Sequence, residues 1–147
     1  MGKILRTKKL TTFSELLIVI LALGLILGAL YYFSPGLRVD AAKKLEDLGH
    51  SVEVIDLRTL APLDMETIKE SLSRTNRLMI AHEEHKTSGF AGEIAARVNE
   101  ECFSSLDAPI LRVCSKDTHV AYCPGLEEVI LPQTNDVYDK LKELLEY

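Results

Sequence analysis

Residues 78–98 read LMIAHEEHKTSGFAGEIAARV. A short, nearly continuous apolar run (77–82) predicts a strand of a sheet covered on both faces. Two histidines and two glutamates follow, then a glycine-containing turn. From Phe90 to Leu106 the apolar residues Ile94, Val98, Cys102 and Phe103 recur at helical spacing and predict the longest helix of the chain. Strand, turn and helix in this order make half of a βαβ unit. The rest of the chain must supply the other half.

Working outward, the same alternation recurs. Residues 40–48 carry a helical stripe at positions 41, 42, 45 and 48, with Gly49 placed to cap it. SVEVIDL, 51–57, is β-branched and alternating, as a strand should be. Asp64 stands as N-cap before METIKESLSRT, whose Met65, Ile68 and Leu72 share one face. PILRVCS, 109–115, predicts another strand, 116–134 an irregular stretch, and Val137 to Leu145 a last helix capped by Asn135 or Asp136. Helix and strand in strict turn predict a three-layer, doubly wound α/β domain with mostly parallel strands over 40–147. By this reading only three strands are found, and the first helix has none before it.

Residues 16–33, LLIVILALGLILGALYYF, stand where that strand should be. Eighteen residues without a charge suffice for a membrane span, which needs roughly 17–25. Lys3, Arg6, Lys8 and Lys9 precede the run, and Tyr31, Tyr32 and Phe33 close it like an interfacial belt. The expectation is a basic cytoplasmic tail over 1–15, an uncleaved transmembrane helix over 16–33 and a linker over 34–39. Residues 35–147 hold 13 basic and 21 acidic side chains. That acidic balance gives no electrostatic reason to bind nucleic acid. Cys102, Cys114 and Cys123 are odd in number and lack C-x-x-C spacing, so no disulfide framework is expected.

Site chemistry centres on 82–93. His82 and His85 stand at i and i+3, not at the i and i+4 of a helical zinc-binding H-E-x-x-H, and no spacing gathers His82, His85, His119 and Cys123 into a mixed site. Thr87 to Gly92 before a helix could cradle an anion on free N–H groups. The stretch lacks both G-x-G-x-x-G and the Walker pattern, and Glu83, Glu84, Glu93 and, further on, Glu100 oppose phosphate. The plainer reading is that Gly89 permits the turn and Gly92 a close helix–sheet approach.

Together these stretches carry a resemblance. "AAKKLEDLGHSVEVIDLRTLAPLDMETI", "HEEHKTSGFAGEIAARV" and "KDTHVAYCPGLEEVILP" are similar, in order, to the C-terminal, transketolase-type domain of the beta subunit of thiamine-diphosphate-dependent 2-oxo acid dehydrogenases, of pyruvate or branched-chain type. The resemblance covers 40–147 and not 1–34. It implies a domain that normally begins with a further strand and a Gly-containing loop, which this reading takes to be absent. It also implies a cytoplasmic enzyme, in conflict with an outward-facing anchor. In such an assembly thiamine diphosphate and magnesium are held by other modules, so this chain alone would bind neither. Its partners would be the alpha subunit, a second beta subunit and the acyltransferase core, with the membrane engaged through 16–33. His82, Glu83, Gly89, Phe90, Gly92 and Glu93 would then be subunit-contact residues, or would support the assembled site from behind. The competing readings are a membrane-anchored binding module that shares only the fold, and two unrelated segments joined artificially.

Overall fold

The computed structural model describes residues 36–147 and, as backbone, the segments Lys3–Leu5 and Leu16–Ala22. The chain forms β1 (Lys3–Leu5), β2 (Leu16–Ala22), α1 (Gly36–Glu46), β3 (Ser51–Leu57), α2 (Met65–Thr75), β4 (Leu78–His85), α3 (Phe90–Cys102), β5 (Leu111–Ser115), α4 (Pro124–Ile130) and α5 (Thr134–Leu145). Five strands make one sheet in the order β1-β3-β2-β4-β5. All neighbours are parallel except β1, which pairs antiparallel with β3.

The strand expected to be missing is therefore in the sheet. Leu16 to Ala22 pair in parallel with Ser51 to Leu57 on one side, and Ile18 to Leu21 with Leu78 to Ala81 on the other. This corrects the transmembrane reading over 16–22 and the sheet lacking its first strand. The cause of the misreading is physical: a central strand of a parallel sheet is covered on both faces, so it shows no polar period, and neither does a membrane span. Residues 23–33 of the expected span lie outside the described residues. No helix among the described residues is long and apolar enough to cross a membrane. The linker reading is corrected too, since α1 begins at Gly36 and takes in 36–39. Of the tail expected over 1–15, Lys3–Leu5 forms β1 and the remainder lies outside the described residues.

Alternation along the strands builds two cores. Val52, Val54, Met79, Ala81 and Val113 face α1 and α5, meeting Ala41, Leu45, Val137, Leu141 and Leu144. Ile55, Leu57, Leu78 and Ile80 face α2 and α3, meeting Ile68, Leu72, Ile94 and Val98. The result is helix, sheet and helix in three layers. Glu53, on the α2 side of β3, is buried and is held by Arg74 of α2 at 2.8 Å. Asp64 caps α2 by accepting from the Thr67 N–H at 3.1 Å and the Thr67 hydroxyl at 2.8 Å. The last helix starts earlier than its apolar period: Gln133 and Asp136 form a capping box ahead of Val137. Gly49 closes the turn after α1 at φ +89°.

Candidate functional site

Beyond the carboxyl end of β4 the chain turns at 86–89 into α3, and the side chains of 82–93 meet around this turn. Sheet alternation sends His82 to the α2–α3 face, where it is 3% exposed. Its Nδ1 accepts the Glu84 N–H at 3.1 Å, so the proton of the neutral ring is on Nε2, 3.3 Å from the Cys114 sulfur of β5. The imidazole thus donates to sulfur and takes no proton from it. Burial also pushes the Cys114 thiol up, away from the thiolate a nucleophile needs. His82 and Cys114 therefore form a structural pair between neighbouring strands and not a nucleophilic dyad.

The turn is tight for a reason the sequence did not show. Its left-handed residue is Ser88, at φ 61°. Gly89 is needed instead for close approach: a Cβ there would lie 2.1 Å from the His85 carbonyl oxygen and 2.8 Å from His82 Cε1. Gly92, expected to permit close helix–sheet packing, has more room, since its Cβ would meet only Arg112 Nη1 at 3.6 Å.

At the N-terminus of α3 the Phe90 N–H donates to the Glu84 carboxylate at 2.8 Å. The chain's own carboxylate thus occupies the place where an anion would dock. This carboxylate, next to Gly89 and Phe90, borders an open cleft of about 630 Å³ that also takes in Gly92, Glu93, Arg97 and Arg112. Both arginines already have partners: Arg112 donates to the Lys86 carbonyl at 3.2 Å and Arg97 to Glu101 at 3.4 Å. The cleft is balanced in charge and holds no nucleophile–base pair. Its residues do not fit a diphosphate.

Of the residues singled out from sequence, Gly89, Phe90, Gly92 and Glu93 line this cleft, His82 lies buried beneath it, and Glu83 is exposed beside it. Glu84, Arg97 and Arg112 were not anticipated. Glu84 caps α3 across a loop at no fixed motif spacing, and Arg112 arrives from another strand. His82 and His85 do not converge: His85 Nε2 donates to the Thr118 carbonyl at 2.6 Å, away from His82. Among the described residues no three His, Cys, Asp or Glu side chains form a metal-binding group.

Residues 36–137 match the family described as "Transketolase, C-terminal domain". The chain belongs to this family. Among curated proteins, this transketolase C-terminal domain is similar to the pyruvate dehydrogenase E1 component subunit beta of Rhizobium meliloti, 42% identical over 104 residues, covering 71% of this chain and 23% of that one. The corresponding subunit of Staphylococcus aureus is 42% identical over 109 residues, covering 74% of this chain and 33% of that one. The mitochondrial 2-oxoisovalerate dehydrogenase subunit beta of Dictyostelium discoideum is 43% identical over 102 residues, covering 69% and 27%. The chain thus spans 23 to 33% of the length of these relatives. Among solved structures, "Split gene transketolase, inactive beta4 tetramer" superposes with a TM-score of 0.72 at 23% identity, covering 99% of this chain and 42% of that one. At that identity the likeness speaks for the fold alone.

Proposed function

We propose that this chain supplies the C-terminal domain of a beta-type subunit in a 2-oxo acid dehydrogenase decarboxylating component, making contacts between subunits, and that it does not decarboxylate by itself. The observation that carries this reading is the 42% identity to pyruvate dehydrogenase beta subunits over 104 and 109 residues, confined to about a quarter to a third of their length. The site geometry supports the same division of labour. Glu84 fills the anion position at α3, Arg97 and Arg112 are committed to neighbours, and His82 and Cys114 are locked together. These groups suit a contact surface around Gly89, Phe90, Gly92 and Glu93 better than a reaction centre. Thiamine diphosphate and magnesium would be held by other modules of the assembly, among them the alpha subunit. The second beta subunit and the acyltransferase core complete the partners this reading implies.

The test is decarboxylation of pyruvate and of branched-chain 2-oxo acids with thiamine diphosphate and magnesium. The purified chain alone should give no turnover. Turnover should appear when the chain is co-expressed with an alpha subunit and with a Staphylococcus aureus beta subunit truncated ahead of its matching domain. Turnover by the chain alone, or failure to rescue the truncated subunit, overturns the reading.

A further inference from the structure

We propose that His82 switches the Glu84 carboxylate between two donors, so that the cap of α3 depends on pH. One oxygen of Glu84, Oε2, accepts the Phe90 N–H at 2.8 Å and lies 3.9 Å from His82 Nδ1. In the neutral ring Nδ1 is an acceptor, filled by the Glu84 N–H at 3.1 Å. A proton added to this ring goes to Nδ1, because Nε2 already carries one toward the Cys114 sulfur at 3.3 Å. Two N–H groups then face each other, and the Glu84 N–H has lost its acceptor. The Glu84 carboxylate stands next to the new proton. Closing 3.9 Å to the roughly 2.8 Å of a charge-assisted hydrogen bond takes a small rotation of one exposed side chain.

The two demands on Glu84 are unequal. An imidazolium only 3% exposed is costly without a counter-charge. The Phe90 N–H borders the open cleft, where water replaces the carboxylate. The other charges around the ring are engaged elsewhere. Beside Cys114, Arg112 donates to the Lys86 carbonyl and Asp117 holds Thr87. On β4, His85 turns to the Thr118 carbonyl. On α3, Arg97 pairs with Glu101, and from α2 Lys69 and Arg74 pair with Glu101 and Glu53. Glu83 and Glu93 are exposed to solvent. At neutral pH the surface at Gly89 and Phe90 therefore carries the Glu84 charge. In acid that charge withdraws onto His82 and leaves the N-terminus of α3 open.

An NMR titration of the full chain from about pH 8 to about pH 4 spans the histidine and carboxylate ranges. Ring nitrogen shifts should show His82 Nδ1 unprotonated at the upper end. The Phe90 amide should move in one step that shares its midpoint with the His82 ring, above about pH 5 and clear of the carboxylates. Glu84→Gln keeps an oxygen for the Phe90 N–H and removes the charge, so it should abolish that step. His82→Asn keeps an acceptor for the Glu84 N–H, as in an Asx turn, removes the titration and should do the same. Should this buried variant not fold, Glu84→Gln, at an exposed position, decides alone. His85→Gln should leave the step in place. A His82 ring that stays neutral throughout overturns the proposal. So does a Phe90 step that follows His85, that appears only with the carboxylates near about pH 4, or that survives Glu84→Gln.

Discussion

At Gly89 a single missing methyl group decides whether the turn after β4 can close. The Cβ of Gly89→Ala would lie 2.1 Å from the backbone oxygen of His85, and backbone cannot swing aside as a side chain does. Overpacking of this kind costs about 2 kcal/mol, which should lower the melting temperature by about 5–10 °C. Gly125→Ala, with nothing within 4 Å, should leave it unchanged. A scan in which the two variants melt together would refute the close-approach argument. Glycine as a turn signal was legible in the sequence; its reason was not, because the crowding atoms of His82 and His85 come into range only through the fold. Asp117 gives a second residue-scale expectation. The Thr87 hydroxyl, and after it the Thr87 N–H, hold its carboxyl below the usual carboxylate range. A depressed folded-state pKa contributes stability above the unfolded value of about 4 that is lost as pH falls through the folded value. The Thr87 amide resonance should therefore move below about pH 4, and Asp117→Asn should abolish that step. An amide indifferent to both would show that the contact is absent in solution.

Whether an element could be read depended on what covers it. Strand β3 and helix α2 were legible to the residue, since each shows its core one clear period: Val52 and Val54 against Ile55 and Leu57, and Met65, Ile68 and Leu72 on one stripe. Helix α4 was read as irregular chain because it buries nothing, so its Leu126 and Val129 face no core that would set a pattern. Strand β2 failed for the opposite reason. Flanked by strands on both sides and by helices on both faces, it has no polar period at all. The two readings of this segment respond differently to proline. A membrane helix tolerates it, whereas a central strand loses a ladder donor and cannot accommodate the ring. Ile20, paired with Ile55 and with Ile80, is the place to ask. Ile20→Pro should destabilise the domain by about 3 kcal/mol, counting the lost bond and the acceptor left unpaired, and should strip amide protection from both β3 and β4. Unchanged hydrogen exchange in these strands would remove β2 from the sheet.

Over the whole molecule, the doubly wound plan followed from the alternation of helix and strand, because a parallel sheet needs a crossover between successive strands. The candidate site was legible only in part, because it is assembled from β4, α3 and β5. Local sequence displayed the Gly89–Glu93 turn but not Arg112, which reaches it from a different strand, nor the Glu84 carboxylate that turns back onto α3. The order of the strands has a consequence for biosynthesis. The first strand of the parallel set lies in its middle, and the partners of β2 are not yet made when it leaves the ribosome. The first of those partners to be made is β3, where Leu21 pairs with Asp56, and at about 5–20 residues per second that partner follows roughly 2–7 seconds later. For that interval the most apolar strand of the domain travels unpaired inside an uncharged run of eighteen residues, presenting to targeting factors and chaperones the same signature that a nascent membrane protein would.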